Sequence, residues 1–117
     1  MEKIKVYGIP NCDTTKKALN LLKENKTAFD FHDYKQGGIS RVKLEQWCKA
    51  AGLEAIFNKR STTWRELGDA EQKKVTDQAS AIDTMIKHNS IIKRPIIEAG
   101  NKLIVGFDKE DINKIFK

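Results

Sequence analysis

Ile4 and Val6 alternate with Lys3 and Lys5, and Tyr7 follows, which predicts a short buried strand over residues 3–7 that Gly8 and Pro10 bring to an end. The period then changes. From about residue 14 to 25, Ala18, Leu21 and Leu22 recur at helical spacing, while Lys16, Lys17, Lys23 and Glu24 occupy the other face. A second strand is predicted over 28–34, with Phe29 and Phe31 on one face and Asp30 and His32 on the other. Two strands joined by a helix are expected to lie parallel in a right-handed unit.

The middle of the chain is helical in texture. After Gly37 and Gly38, Ser40 is placed to cap a helix whose Leu44, Trp47, Cys48 and Ala51 fall at i, i+3, i+4 and i+7, and Gly52 ends it. Shorter helices are expected around 69–78 and 80–88, the latter burying Ile82 together with Ile86 or Met85. Past Pro95, the apolar runs Ile96-Ile97 and Leu103-Ile104-Val105 flank Gly100-Asn101, a hairpin signal in reversed order. Asp108 then caps a last helix with Ile112, Ile115 and Phe116 on its apolar side. The ends therefore read β-α-β over 1–34 and β-β-α from about 95 to 117, around a helical insertion at about 39–90. This is the element order of thioredoxin and glutaredoxin: an α/β fold with a mixed sheet, expected as one domain over 1–117.

Composition narrows the class. A chain of 117 residues, 39% hydrophobic and 32% charged, suits one soluble domain with a real core. No apolar stretch approaches the roughly 20 residues that span a bilayer, and the start, Met-Glu-Lys-Ile-Lys, does not resemble a signal peptide, so a cytoplasmic location away from membranes is expected. Two cysteines are too few for a disulfide scaffold, and their spacing rules out CxxC. The net charge of +6 suits an anionic partner, but the basic residues are dispersed and mostly read as a solvated surface. Aromatic residues do not interleave with them, so direct nucleic-acid binding is not expected. His32 and His88 have no metal-ligand spacing with the cysteines, so no metal site is expected either.

Cys12 stands between the first strand and the first helix, in Ile9-Pro10-Asn11-Cys12-Asp13-Thr14-Thr15-Lys16. A thiol reacts as thiolate, and the unpaired amides of a helix N-terminus favour negative charge. The hydroxyls of Thr14 and Thr15 add to this effect, and Asp13 is read as a cap whose carboxylate turns toward amides. Cys48 shares a helical face with Leu44 and Trp47 and reads as core. Thr15 holds the position three after Cys12, where a dithiol enzyme has its second cysteine, so the chain looks monothiol. Arg60 lies in the basic stretch Asn58-Lys59-Arg60-Ser61-Thr62-Thr63-Trp64-Arg65, which has little periodicity and reads as a loop suited to anions. Arg94 lies in Ile91-Ile92-Lys93-Arg94-Pro95-Ile96, a charged pair within an apolar segment. Arginine offers oxyanions and carboxylates a planar fork that lysine lacks. Trp47 reads as core, and Trp64 as either a packing anchor or a binding wall.

These pieces together resemble the arsenate reductase-like ArsC/Spx/YffB family. The resemblance rests on residues 7–18 around Cys12, the Phe-His-Asp-Tyr segment at 31–34, the arginine stretch at 58–65, the Lys-Arg-Pro segment at 91–96 and Val-Gly-Phe at 105–107. It implies a thioredoxin-like fold with a helical insertion, the nucleophile at Cys12 and anion-binding arginines at Arg60 and Arg94. It also implies a cis proline facing the cysteine, a role that falls to Pro95. Asn11, Thr15 and Lys16 are the further candidates for positioning the substrate. Catalytic arsenate reductases of this family use a third arginine near the last strand, where residues 103–107 here carry none. An oxyanion would lose a contact worth about 1.5–3 kcal/mol.

The nearest likeness is to the YffB-like branch. That branch implies a glutathione-dependent thiol reductase, with no bound cofactor and with glutathione or another low-molecular-weight thiol as co-substrate. Two alternatives stand beside it: a true arsenate reductase coupled to glutaredoxin, and an Spx-like regulator that binds the RNA polymerase α-subunit. Spx proteins commonly carry a CxxC switch, which Thr15 removes. A Cys12 thiol pKa below the free-cysteine reference of about 8.5 is expected under the catalytic readings.

Overall fold

The apolar alternation at the N-terminus becomes β1, Ile4–Gly8, the second strand in a four-stranded sheet of order β2-β1-β3-β4. The computed structural model describes residues 4–114, so Lys3, Ile115 and Phe116, which the sequence assigns to the first strand and last helix, lie outside the described residues. Those described fall into two compact units, one built from the chain's two ends, up to Gly37 and from Arg94 onward, the other from Gly38–Lys93.

In the first unit, β1 pairs in parallel with β2, Asp30–Asp33, the outcome expected of two strands joined by a helix. On its other side β1 pairs antiparallel with β3, Ile96–Ala99, which forms a hairpin with β4, Lys102–Val105. The sheet is mixed and the fold is α/β, thioredoxin-like. Gly100 turns the hairpin at φ 63°, a conformation that costs glycine little, so the reversed Gly-Asn order still works. Ile4 and Val6 share the core face with Ile97, Ala99 and Ile104, and Ala18 and Leu22 from α1, Asp13–Glu24, close over them together with Ile112. Each fully buried side chain of this size contributes about 1.5–3 kcal/mol.

Several boundaries differ from expectation. β2 is four residues rather than seven, because Tyr34 leaves the strand to begin a one-turn helix, α2, Tyr34–Gly37, and is itself fully buried. Leu21 is only half-buried on α1, where Thr15 instead joins Ala18 and Leu22 inside.

The second unit is helical. Ser40 caps α3, Arg41–Ala51, by accepting the Lys43 N–H at 3.1 Å. Leu44, Trp47 and Cys48 are buried on that helix, whereas Ala51, expected on the same face, is exposed. The basic stretch read as an aperiodic loop contains a helix of its own. After α4, Leu53–Ile56, residues 58–61 turn, and Ser61 caps α5, Thr62–Glu66, by accepting the Trp64 N–H at 3.2 Å. Trp64 packs edge-on against Phe57, ring centroids 5.0 Å apart, and so serves as a packing anchor. α6 spans Gly68–Gln72, shorter than expected, and α7 spans Gln78–Lys87, starting from a reciprocal cap between Asp77 and Ser80. Ile82 and Met85 are buried on α7 while Ile86 faces outward. Hydrogen bonds from Asn58 N–H to the Ile91 carbonyl and from Lys93 N–H to the Ile56 carbonyl, both 2.8 Å, tie the unit's later segments to its middle. In the first unit, Asp108 caps α8, Lys109–Asn113, as the sequence predicts. Among the described residues no helix is long and apolar enough to cross a membrane.

Candidate active site

The Ile9-Pro10-Asn11-Cys12 turn is closed by a hydrogen bond from the Cys12 N–H to the Ile9 carbonyl, 3.1 Å. It delivers Cys12 to the N-cap of α1, where extended backbone precedes the first helical residue, Asp13. The expected cap at Asp13 is therefore corrected by one residue: Asp13 opens the helix, its carboxylate in the first turn, where negative charge suits the dipole. The Cys12 side chain makes no capping hydrogen bond of ordinary geometry, and the Thr15 N–H acts on the sulfur more loosely.

The sulfur is partly exposed, and donors surround it. Burial pushes the thiol pKa up, but the Thr14 hydroxyl, the Thr15 N–H, the Thr15 hydroxyl and the Arg94 side chain favour the thiolate, and together they draw the pKa from 9.0 to about 6. Thr14 Oγ1 lies 3.2 Å from Cys12 Sγ. The same hydroxyl donates to the Arg94 carbonyl at 3.3 Å. The buried Thr15 hydroxyl makes no hydrogen bond of ordinary geometry, so it acts on the sulfur as a looser donor. Its side chain is fully buried against Gly8, where an added Cβ would meet Thr15 Oγ1 at 2.7 Å and Cγ2 at 2.9 Å. Gly8 is thus the residue that lets Thr15 settle beneath the thiol turn.

Arg94 precedes Pro95 across a cis peptide bond, and the Pro95 carbonyl accepts the Gly106 N–H at 2.8 Å. Behind Arg94 lies a polar cluster. The Tyr7 hydroxyl donates to Glu98 Oε1 at 2.9 Å, and the His32 ring stands 5.3 Å from that of Tyr7 and 6.4 Å from that of Tyr34. Burial raises the Tyr34 pKa well above its ordinary value, with Tyr7 and Glu98 acting in the same sense and Arg94 against it. Tyr7 is raised too, by burial and then by Glu98.

The structure thus brings Cys12, Thr14, Thr15, Arg94 and Pro95 together in the first unit. Asn11 and Lys16 flank the thiol and are exposed. Arg60 belongs to the second unit, exposed in a turn where its N–H donates to Asn58 Oδ1 at 3.1 Å. Cys48 is buried in that unit, and its pKa is raised by burial and by Glu45. Sequence reasoning named Thr14 as a hydroxyl beside the thiol but missed its second partner, a carbonyl 80 positions away. It also missed the Tyr7–Glu98 pair. The available signal was a lone glutamate within the otherwise apolar Ile96-Ile97-Glu98-Ala99.

The chain is similar to known proteins over nearly its whole length. The ArsC family model matches residues 7–115. A solved structure titled YffB (PA3664) protein is 42% identical, covers 98% of this chain and 100% of its own, and superposes with a TM-score of 0.92. A Haemophilus influenzae protein of uncharacterised function is 39% identical over 97% of this chain and 98% of its own length. An Escherichia coli arsenate reductase is 30% identical over 83% of this chain and 69% of its own. The Streptococcus pyogenes global transcriptional regulator Spx is 28% identical over 93% and 81%.

Proposed function

Because this chain belongs to the ArsC family, we propose that it is a thiol-dependent reductase whose nucleophile is Cys12 and whose co-substrate is glutathione or another low-molecular-weight thiol. The observation that carries this reading is the setting of the sulfur. It stands at a helix N-terminus without a side-chain cap, 3.2 Å from the Thr14 hydroxyl, with its pKa drawn down to about 6.

The reaction runs in two exchanges. The Cys12 thiolate attacks one sulfur of an oxidised substrate disulfide; a bond forms between them, the old S–S bond breaks, and the departing sulfur leaves as thiolate. A second thiolate, from glutathione, then attacks the substrate sulfur of the mixed disulfide, and Cys12 is expelled as thiolate. Arg94 holds the anionic end of the substrate, with Asn11 and Lys16 positioning it and Pro95 shaping the wall, while the buried Thr15 acts on the sulfur from beneath.

Magnitudes show which exchange gains most. At pH 7 a pKa near 6 leaves about 90% of the sulfur as thiolate, against ~1% at 9.0. Nucleophilicity falls with pKa, however, and gives back roughly 15- to 30-fold of that advantage. Attack therefore gains only a few-fold. The second exchange gains more, because the same low pKa makes Cys12 the better leaving group.

The test is reduction of a glutathione mixed disulfide, whose glutathione sulfur passes to Cys12 and leaves as glutathione disulfide, by glutathione coupled to glutathione reductase, with mass spectrometry to locate the trapped adduct. Turnover and a glutathione adduct on Cys12 are expected, both lost in Cys12→Ser; turnover that survives that substitution overturns the proposal. The identity with an arsenate reductase favours a second reading, arsenate as substrate with glutathione and glutaredoxin as reductants. Against it stands the stretch 103–107, which carries no arginine. Arsenate turnover no higher than in Cys12→Ser retires that reading. The likeness to Spx sets the matching test for a regulator, which is retention of the C-terminal domain of the RNA polymerase α-subunit.

A further inference from the structure

We propose that the Thr14 hydroxyl is a two-position donor that ties ionisation of Cys12 to the backbone carbonyl of Arg94. Thr14 Oγ1 lies 3.2 Å from Cys12 Sγ and 3.3 Å from the Arg94 carbonyl oxygen, and a hydroxyl has a single proton to give. With the thiol protonated, the S–H donates to Oγ1 and the O–H donates to the carbonyl. All three groups are then satisfied. When the thiol proton leaves for solvent, the sulfur becomes a charged acceptor and outbids the neutral carbonyl for the hydroxyl proton. The O–H rotates to the sulfur and gives up its bond to the Arg94 carbonyl. Only hydrogen bonds are exchanged.

The Thr15 N–H, which also favours the thiolate, is fixed in the helix backbone and cannot make this change. Thr14 can, because only its hydroxyl proton needs to turn. The charged side chains that face or flank the sulfur are Arg94, from the segment before β3, and Asp13 and Lys16 on the first turn of α1, with the Tyr7–Glu98 pair on β1 and β3 beyond. They are the same in every variant compared below.

A consequence follows by linkage. A donor that occupies the Arg94 carbonyl frees the hydroxyl for the sulfur, so it favours the thiolate by the same factor by which the thiolate favours that donor. The carbonyl beside Pro95 thereby loses its Thr14 donor as the nucleophile forms. Its use in turnover rests on the reading of Cys12 as the nucleophile, but the coupling itself does not.

The experiment follows the carbonyl carbon-13 shift of Arg94 against pH in the full chain, with iodoacetamide reactivity reporting Cys12 in parallel. The wild type is expected to show a step in the Arg94 shift at the Cys12 midpoint, and Thr14→Ser to retain it. Thr14→Val keeps the thiolate's field but not the hydroxyl; its step is expected to fall below half, and its Cys12 midpoint to rise by about one pH unit. A step in Thr14→Val as large as in the wild type overturns the coupling. So does a wild-type Arg94 shift that stays flat while Cys12 titrates, a result that needs no variant to fold. Neither readout depends on turnover, so failure here leaves the proposed reductase standing.

Discussion

Helix α1 of the first unit and the two long helices of the second, α3 and α7, start in opposite ways. In the second, Ser40, Ser61 and Asp77 each cap a helix by accepting a backbone N–H, at 3.1, 3.2 and 2.9 Å. In the first, Cys12 sits at the cap of α1 and makes no such bond, although Asp108 caps α8 in the same unit. Among the described helices of ten residues or more, only the one that carries the thiol lacks a side-chain cap. A cap is worth about 0.5–2 kcal/mol, and at α1 the amide donors that would supply it face a sulfur instead. The two cysteines repeat the contrast. Cys48, mid-helix on an apolar face, is pushed toward the neutral thiol, while Cys12, at a helix start among donors, is drawn toward thiolate. Position along a helix, more than residue type, decides what a thiol can do.

Exchanging the two thiols' fates gives the largest expected effect. Cys12→Ser should remove nearly all iodoacetamide labelling of the native protein at pH 7, whereas Cys48→Ser should leave the rate within about twofold, since reactivity follows thiolate fraction and access. Labelling of Cys12 should rise through a midpoint near pH 6 and level off above it; equal labelling of both cysteines would erase the contrast. Next comes Gly8→Ala, whose new Cβ forces Thr15 to move. It should cost about 1–3 kcal/mol in urea unfolding and raise the Cys12 midpoint.

Asp77→Ala probes the opposite unit. It should cost about 1 kcal/mol and leave the Cys12 midpoint unchanged, because only the α7 cap is lost. The smallest effect is the most discriminating. At pH 5, where Cys12 is a thiol in both folded and unfolded chains, Cys12→Ser should stabilise the protein by up to about 1 kcal/mol by supplying the missing cap. Between pH 6 and 9 the unfolded wild type binds more protons than the native state, so wild-type stability rises with pH. The serine advantage should shrink across that window, give way to a wild-type advantage by pH 9 and return below pH 6. A difference independent of pH would break the argument that α1 exchanges a cap for a thiolate.

The elements legible in the sequence were those long enough to repeat. α1 and α3 run for three turns, β1 alternates, and β3 and β4 are apolar runs between firm stops, so their existence and the β1–β2 and β3–β4 pairings followed from pattern. The one-turn helices α2, α4 and α5 are too short to show a helical period, and the basic stretch at 58–65 accordingly read as loop. Ala51 and Ile86 fell at core spacing but face outward, because periodicity gives a face and not its width. Cys12 was legible because its position depends on local order alone, strand then turn then helix. The bond from Thr14 to the Arg94 carbonyl was not, since it depends on how β3 is laid beside β1. The cis state of the Arg94–Pro95 bond came from family resemblance and not from any local pattern.

Thr15, sealed beneath the thiol turn by its contact with Gly8, fixes where control over the proposed cycle resides. With a hydroxyl packed in that place, a mixed disulfide on Cys12 has no partner sulfur at the third position to close upon. Its lifetime is then bimolecular, inversely proportional to the concentration of thiolate outside the protein. In a thiol-rich solution the intermediate vanishes as it forms; in a depleted one it accumulates, and the fraction of the protein carrying it becomes a gauge of the reducing capacity around it.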